Sequence, residues 1–155
     1  MTDDILIREA TPDDIPEIVR QRRAMYEDMD YKDSDQLASM TTTSAAYLAT
    51  ALPAGHFREW LALKGQAIVG GGAVIISPWP SHPYDGQCVR ATILNVYVYP
   101  QHRKKGIGRQ LMQTMIEWCR QQDFINVSLH ASPDGRHLYE ALGFEPTNEM
   151  RLKLK

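Results

Sequence analysis

Apolar positions change their period several times along the chain, and each change marks an element. Ile5-Leu6-Ile7-Arg8 reads as a short strand. Thr11-Pro12-Asp13-Asp14 has the layout of a helix start: a hydroxyl cap, proline at the first helical position and acids in the first turn. Ile15, Ile18, Val19, Arg22 and Tyr26 then follow at helical spacing. A second helical region falls within Ser34–Leu52 and ends at Pro53-Ala54-Gly55. Phe57–Leu63 and Ala67–Ile76 read as strands joined by the turn Lys64-Gly65-Gln66. Ser77–Gln87 holds Pro78, Pro80 and Pro83, which predicts an irregular surface loop.

Val89–Tyr99 is rich in β-branched and aromatic residues and reads as a long strand closed by Pro100. Ile107, Leu111, Met112, Met115, Ile116 and Cys119 form one apolar stripe, so Gly106–Gln122 is predicted as an amphipathic helix. Val127–His130 is a further strand, and Ser132-Pro133-Asp134 caps a short helix that Gly143 stops. Met150–Leu154 alternates apolar and charged residues, as a strand with one wet face does. The order β-α-α-β-β-β-α-β-α-β gives an α/β (α+β) fold with a central sheet. With no repeat, linker or low-complexity tract, residues 1–155 are expected to form a single domain.

Composition narrows the classes. Hydrophobic residues at 43% and charged residues at 23% are those of a globular chain, not a disordered one. A net charge of −2 argues against a nucleic-acid-binding surface. No stretch approaches the roughly 20 apolar residues of a membrane span, and Met1-Thr2-Asp3-Asp4 lacks the layout of a signal peptide. Cys88 and Cys119 lack metal-ligand spacing, so no metal and a reduced, cytoplasmic protein are expected.

The one local concentration of positive charge carries the chemistry. Between Val98 and Arg109 a strand ends at proline, the run His102-Arg103-Lys104-Lys105 follows, and Gly106 and Gly108 open a helix. A helix N-terminus offers unpaired N–H groups and partial positive charge, and glycine lets phosphate oxygens come close. These features describe a pyrophosphate cradle. It is neither a P-loop, which needs Gly-Lys-Ser/Thr, nor a dinucleotide fingerprint, whose third glycine is replaced by Leu111.

Arg103-x-x-Gly106-x-Gly108 resembles the Q/R-x-x-G-x-G/A signature of the GNAT superfamily of acyl-CoA-dependent N-acyltransferases. Leu138-Tyr139-Glu140-Ala141-Leu142-Gly143-Phe144 resembles that family's second hallmark, and the element order fits over essentially the whole chain. The resemblance implies a mixed, mostly antiparallel sheet flanked by helices and acetyl-CoA as cosubstrate. It places the CoA pyrophosphate on backbone amides of Arg103, Lys104, Lys105, Gly106, Ile107, Gly108 and Arg109. Backbone groups of Val96 and Val98 would meet the pantetheine arm, in a gap where their strand parts from its neighbour. Ser132 stands where many relatives carry a cofactor-contacting asparagine. Tyr139 is implied as the donor of a proton or hydrogen bond to the departing sulfur.

The base stays open. Some relatives carry glutamate on the strand before the phosphate loop, and this strand has none. Asn95 and Tyr97 share a face and are suited to hold a substrate or a relay water; His130, Glu59 and a water chain are the other candidates. For the acceptor, the acidic and aromatic segment Arg22–Gln36, with Tyr26, suits a cationic amine, and Trp79 in the proline-rich loop is a further pocket candidate. The reading is an N-acetyltransferase acting on a primary amine of a small molecule. A protein acceptor (lysine or N-terminal amine) and a non-catalytic acyl-CoA sensor are the alternatives. Homodimers occur among relatives, and the terminal strand is the element that would exchange or pair.

Overall fold

A computed structural model describes residues 4–155; the acidic Met1-Thr2-Asp3 start lies outside them. The sheet is built from β1 (Ile5–Glu9), β2 (Phe57–Lys64), β3 (Ala67–Pro78), β4 (Val89–Val98) and β5 (Val127–Leu129), in that spatial order. The first three pairings are antiparallel and β4–β5 is parallel. The mixed, mostly antiparallel sheet is the one expected. The short turn after Lys64 makes β2 and β3 an antiparallel hairpin, and β1 pairs antiparallel with β2 across the two intervening helices. Strand β5 reaches its parallel place through the crossover helix that follows β4.

Helices cover both faces. On one lie α1 (Ile15–Asp28) and α2 (Ser34–Ala54), whose Ile18, Val19, Leu48 and Ala51 pack on Phe57 and Ala73. On the other lie α3 (Ile107–Gln121) and α4 (Arg136–Ala141). The predicted stripe of α3 is buried there: Ile107, Leu111, Met112, Met115 and Cys119 meet Trp60, Val74 and Ile93 of the sheet. Gly72 lets α3 sit close, since a Cβ there would lie 2.9 Å from Met115 Cε.

Three local expectations are corrected. The start of α1 is a separate 3-10 turn over Pro12–Asp14 with Thr11 at its N-cap, where the Asp14 carboxylate accepts the Thr11 N–H at 2.8 Å. Arg8 grips the same carboxylate and holds Asp14 below the usual carboxylate range. Helix α4 starts at Arg136, later than Ser132-Pro133-Asp134 suggests, because Ser132 Oγ accepts from Gly135 N–H in a preceding turn. The terminal strand does not form: residues 145–155 are without regular structure, and Met150, Leu152 and Leu154 are exposed. Alternation gives those residues an apolar face but supplies nothing for it to cover.

Candidate active site

The centre of the site is where β4 leaves its neighbours' register. Gly71 pairs with Tyr97 and Ala73 with Leu94, so β4 carries one extra residue in between. Asn95 absorbs the bulge in a left-handed conformation, φ 58°. On its other edge β4 pairs with β5 only from Ala91 to Ile93. Beyond Ile93 the two strands part, and the last five residues of β4 present a free edge. Tyr99 N–H bonds to Val69 O at 2.9 Å. By alternation Tyr97 also turns its backbone groups to β3, while Val96 and Val98 turn theirs to the free edge. The Val98 carbonyl already accepts from Arg103 Nε at 2.7 Å.

That edge leads directly to the start of α3. Lys104 and Gly106 both adopt positive φ, 62° and 81°, and curl the loop so that Gly106 caps the helix. The first bond back into the loop is Gln110 N–H to Gly106 O at 3.1 Å. The amides of Ile107, Gly108 and Arg109 are thus the orphan donors of the first turn. The Arg103 amide differs from the expectation: it donates to Pro100 O at 3.3 Å. Its side chain is a staple, with the guanidinium on Asp28 at 2.5 Å and over the Tyr97 ring. Lys105 lines a cavity of about 240 Å³ beside this turn with His102 and Gln110.

Across the opening, α4 rides on the first turn of α3. Leu138 Cδ2 lies 3.6 Å from where a Cβ on Gly108 would stand. The next residue, Tyr139, is half-buried, and its ring is edge-on to Phe144 at 6.1 Å. Gly135 is required by that ring, because a Cβ on it would be 2.7 Å from Cε2 and 2.9 Å from the hydroxyl. Burial pushes the Tyr139 phenol up, so it stays protonated at neutral pH. Ser132 is exposed at the turn that delivers this helix.

The opposite face carries the acceptor-side candidates. Arg22 Nη1 donates to Asn95 Oδ1 at 2.5 Å and lies over Tyr26, which meets Tyr31 edge-on at 5.2 Å. Structure therefore joins Asn95 and Tyr26 through Arg22. Tyr97 is buried, its ring held between Tyr99 and Arg103. His130 follows the last residue of β5, level with the start of the opening, but it is exposed and bonded to Glu149 at 2.8 Å. Trp79 stands apart: Val89, the residue paired with its neighbour Pro78, is about 17 Å of strand from Leu94. Its ring lies on Arg90, and Gln87 ties its loop to the C-terminal end of α3.

Two residues are more involved than the sequence suggests. Glu59 is wholly buried on the α1 face, its carboxyl raised well above the usual range by burial, against the pull of Arg22. Gly71 makes the space it occupies. An acid inside an apolar strand and a glycine inside the next one are the signals that mark them. Among the described residues, no group of three His, Cys, Asp or Glu is placed to hold a metal, and no helix is long and apolar enough to cross a membrane.

A strand parting from its neighbour above a helix-start anion site, with a phenol on the far wall, defines an acyl-CoA transferase fold. The family model of the acetyltransferase (GNAT) domain matches residues 55–146. The crystal structure of a GCN5-related N-acetyltransferase from Ralstonia eutropha is 32% identical, with TM-score 0.89 over 97% of this chain and 99% of that one. A predicted acetyltransferase from Clostridium acetobutylicum, solved with acetyl-CoA, shares the fold at 22% identity and TM-score 0.87, over 98% and 96% of the two chains. A probable N-acetyltransferase family 8 member 5 of Mus musculus is 28% identical over 74% of this chain and 50% of its own length. The chain thus spans about half the length of the mammalian relatives it matches. The chain belongs to the GNAT acetyltransferases and carries their acetyltransferase domain.

Proposed function

We propose that the protein transfers the acetyl group of acetyl-CoA to the primary amine of a small molecule, by direct attack of the amine on the thioester. The observation that carries this reading is the free edge of β4, which begins at the Asn95 bulge and ends at the orphan amides of Ile107, Gly108 and Arg109. A pantetheine arm needs backbone donors and acceptors along its length, and a pyrophosphate needs the helix start. In this reading the amides from Lys104 to Arg109 hold the pyrophosphate, Val96 and Val98 align the arm, and Ser132 contacts the cofactor. Tyr139 gives its proton to the sulfur as the C–S bond breaks. The acceptor enters over α1, past Tyr26. Beside it a cleft of about 340 Å³, lined by Arg23, Glu27, Tyr31, Lys32, Ser34 and Leu37, is in the size range of small-ligand sites.

One observation favours a second reading, a protein acceptor: the Ser77–Gln87 loop is tied to the far end of α3 and leaves the bulge uncovered. Thiol release from acetyl-CoA, measured against primary amines and lysine-bearing peptides in parallel, separates the two. Faster release with small amines supports the proposal, and faster release with peptides replaces it. Binding without release on any acceptor would make the domain a sensor.

A further inference from the structure

Glu59 sits in the middle of β2, opposite Ala73 of β3, which in turn faces Leu94 of β4. Its carboxyl does not stay above its own pair. Oε1 leans over Gly71, 2.8 Å from where a Cβ would stand, and Gln21 Oε1 of α1 comes within 2.6 Å of the same point. Gly71 pairs with Tyr97, just past the bulge. The carboxyl thus lies beside Gly71, the β3 residue whose partner on β4 stands just past the bulge.

Two oxygens in this cluster, Glu59 Oε2 and Gln21 Oε1, are buried with no hydrogen-bond partner among the described residues. Two neighbouring acceptors without a donor are what one water molecule satisfies, with one hydrogen to each. Arg22, the residue after Gln21, joins the cluster to the bulge: its charge acts on Glu59 while its Nη1 holds Asn95. The polar residues Gln21, Glu59, Arg22 and Asn95 thus form a row leading from the sheet interior to the bulge.

We propose that Glu59, acting through a water held between its Oε2 and Gln21 Oε1, takes up the proton that the acceptor amine loses on attacking the thioester. This rests on the acetyl-transfer reading above. The amine nitrogen forms its bond to the acetyl carbon, and the C–S bond breaks. The amine proton passes to the water, and a proton of the water passes to the Glu59 carboxylate. The sulfur takes its proton from Tyr139. Uptake requires a group of higher proton affinity than an exposed carboxylate, and burial provides it. Of the groups around Glu59, Arg22 on α1 is charged; Gln21 on α1 and Gly71 and Ala73 on β3 are not.

The test uses the full chain, Glu59→Gln and Gly71→Ala, and the primary amine that releases most thiol. Glu59→Gln is expected to lower kcat by about 100-fold or more and to remove the acidic limb of the kcat/KM profile, with acetyl-CoA affinity unchanged by calorimetry. Gly71→Ala, which drives a methyl against Glu59 Oε1 and Gln21 Oε1, lowers kcat in the same direction. Wild-type kcat with an intact acidic limb in Glu59→Gln overturns the proposal. Thermal unfolding gives a readout independent of turnover. A carboxyl whose proton affinity is raised on folding costs stability as pH climbs from the unfolded value towards the folded one. The melting temperature of Glu59→Gln must therefore gain on the wild type as pH rises above the ordinary glutamate range; a gap that does not change with pH overturns the proposal. Failure of the unaltered protein to bind acetyl-CoA is a different result, which removes the acetyl-transfer reading and this proposal with it.

Discussion

Tyr139 is held by packing on two sides, by Gly135 beneath the ring and Phe144 at its edge. Removing only its hydroxyl keeps that packing and takes away the proton for sulfur. Tyr139→Phe is expected to lose about 10- to 100-fold in kcat while binding acetyl-CoA as the wild type does; thiol release and calorimetry measure the two quantities separately. Because burial raises this phenol, kcat should show no alkaline loss until pH exceeds the ordinary tyrosine value of about 10. At this scale legibility followed locality. The places of Gly106 and Gly108 at the head of α3 and of Tyr139 on α4 were readable because they are defined by neighbours a few residues away. The Glu149 that engages His130 is 19 residues distant, and the Arg22 that engages Asn95 is 73 distant. No spacing rule reaches so far.

The elements that carry the site depend on α3. Its stripe was readable because a period of 3.6 on a six-position pattern has one burial solution. Met115 lies at its centre, wholly buried against Gly72. Met115→Ala should cost about 2–5 kcal/mol in denaturant unfolding. At the head of the helix, Gly106 adopts φ 81° with open space around it, so Gly106→Ala meets strain and no clash. That substitution should cost about 1–2 kcal/mol and weaken acetyl-CoA binding by disturbing the loop. The terminal strand misled because alternation describes a face without supplying its cover. The β4 bulge was not readable either: it consists of a register difference between two strands, visible only once they pair.

As a whole molecule the chain joins a slightly acidic body to one basic loop. In the proposed function Lys104 and Lys105 serve as point charges for the cofactor phosphates, and the amides supply the fixed contacts. Acetyl-CoA affinity should fall with rising salt, and less steeply in a Lys104→Gln, Lys105→Gln double variant, which titrations at low and physiological ionic strength would measure. Met150, Leu152 and Leu154 are exposed, and we propose that the tail pairs with a second copy; sedimentation of the full chain as a dimer, and of one ending at Thr147 as a monomer, is the expected result. The measurement that bears most directly on the whole account is calorimetric titration of the unaltered protein with acetyl-CoA. Saturable binding of one molecule per chain, weakened by Gly106→Ala and kept by Tyr139→Phe, is the result this account predicts. No saturable binding at any ionic strength would contradict it.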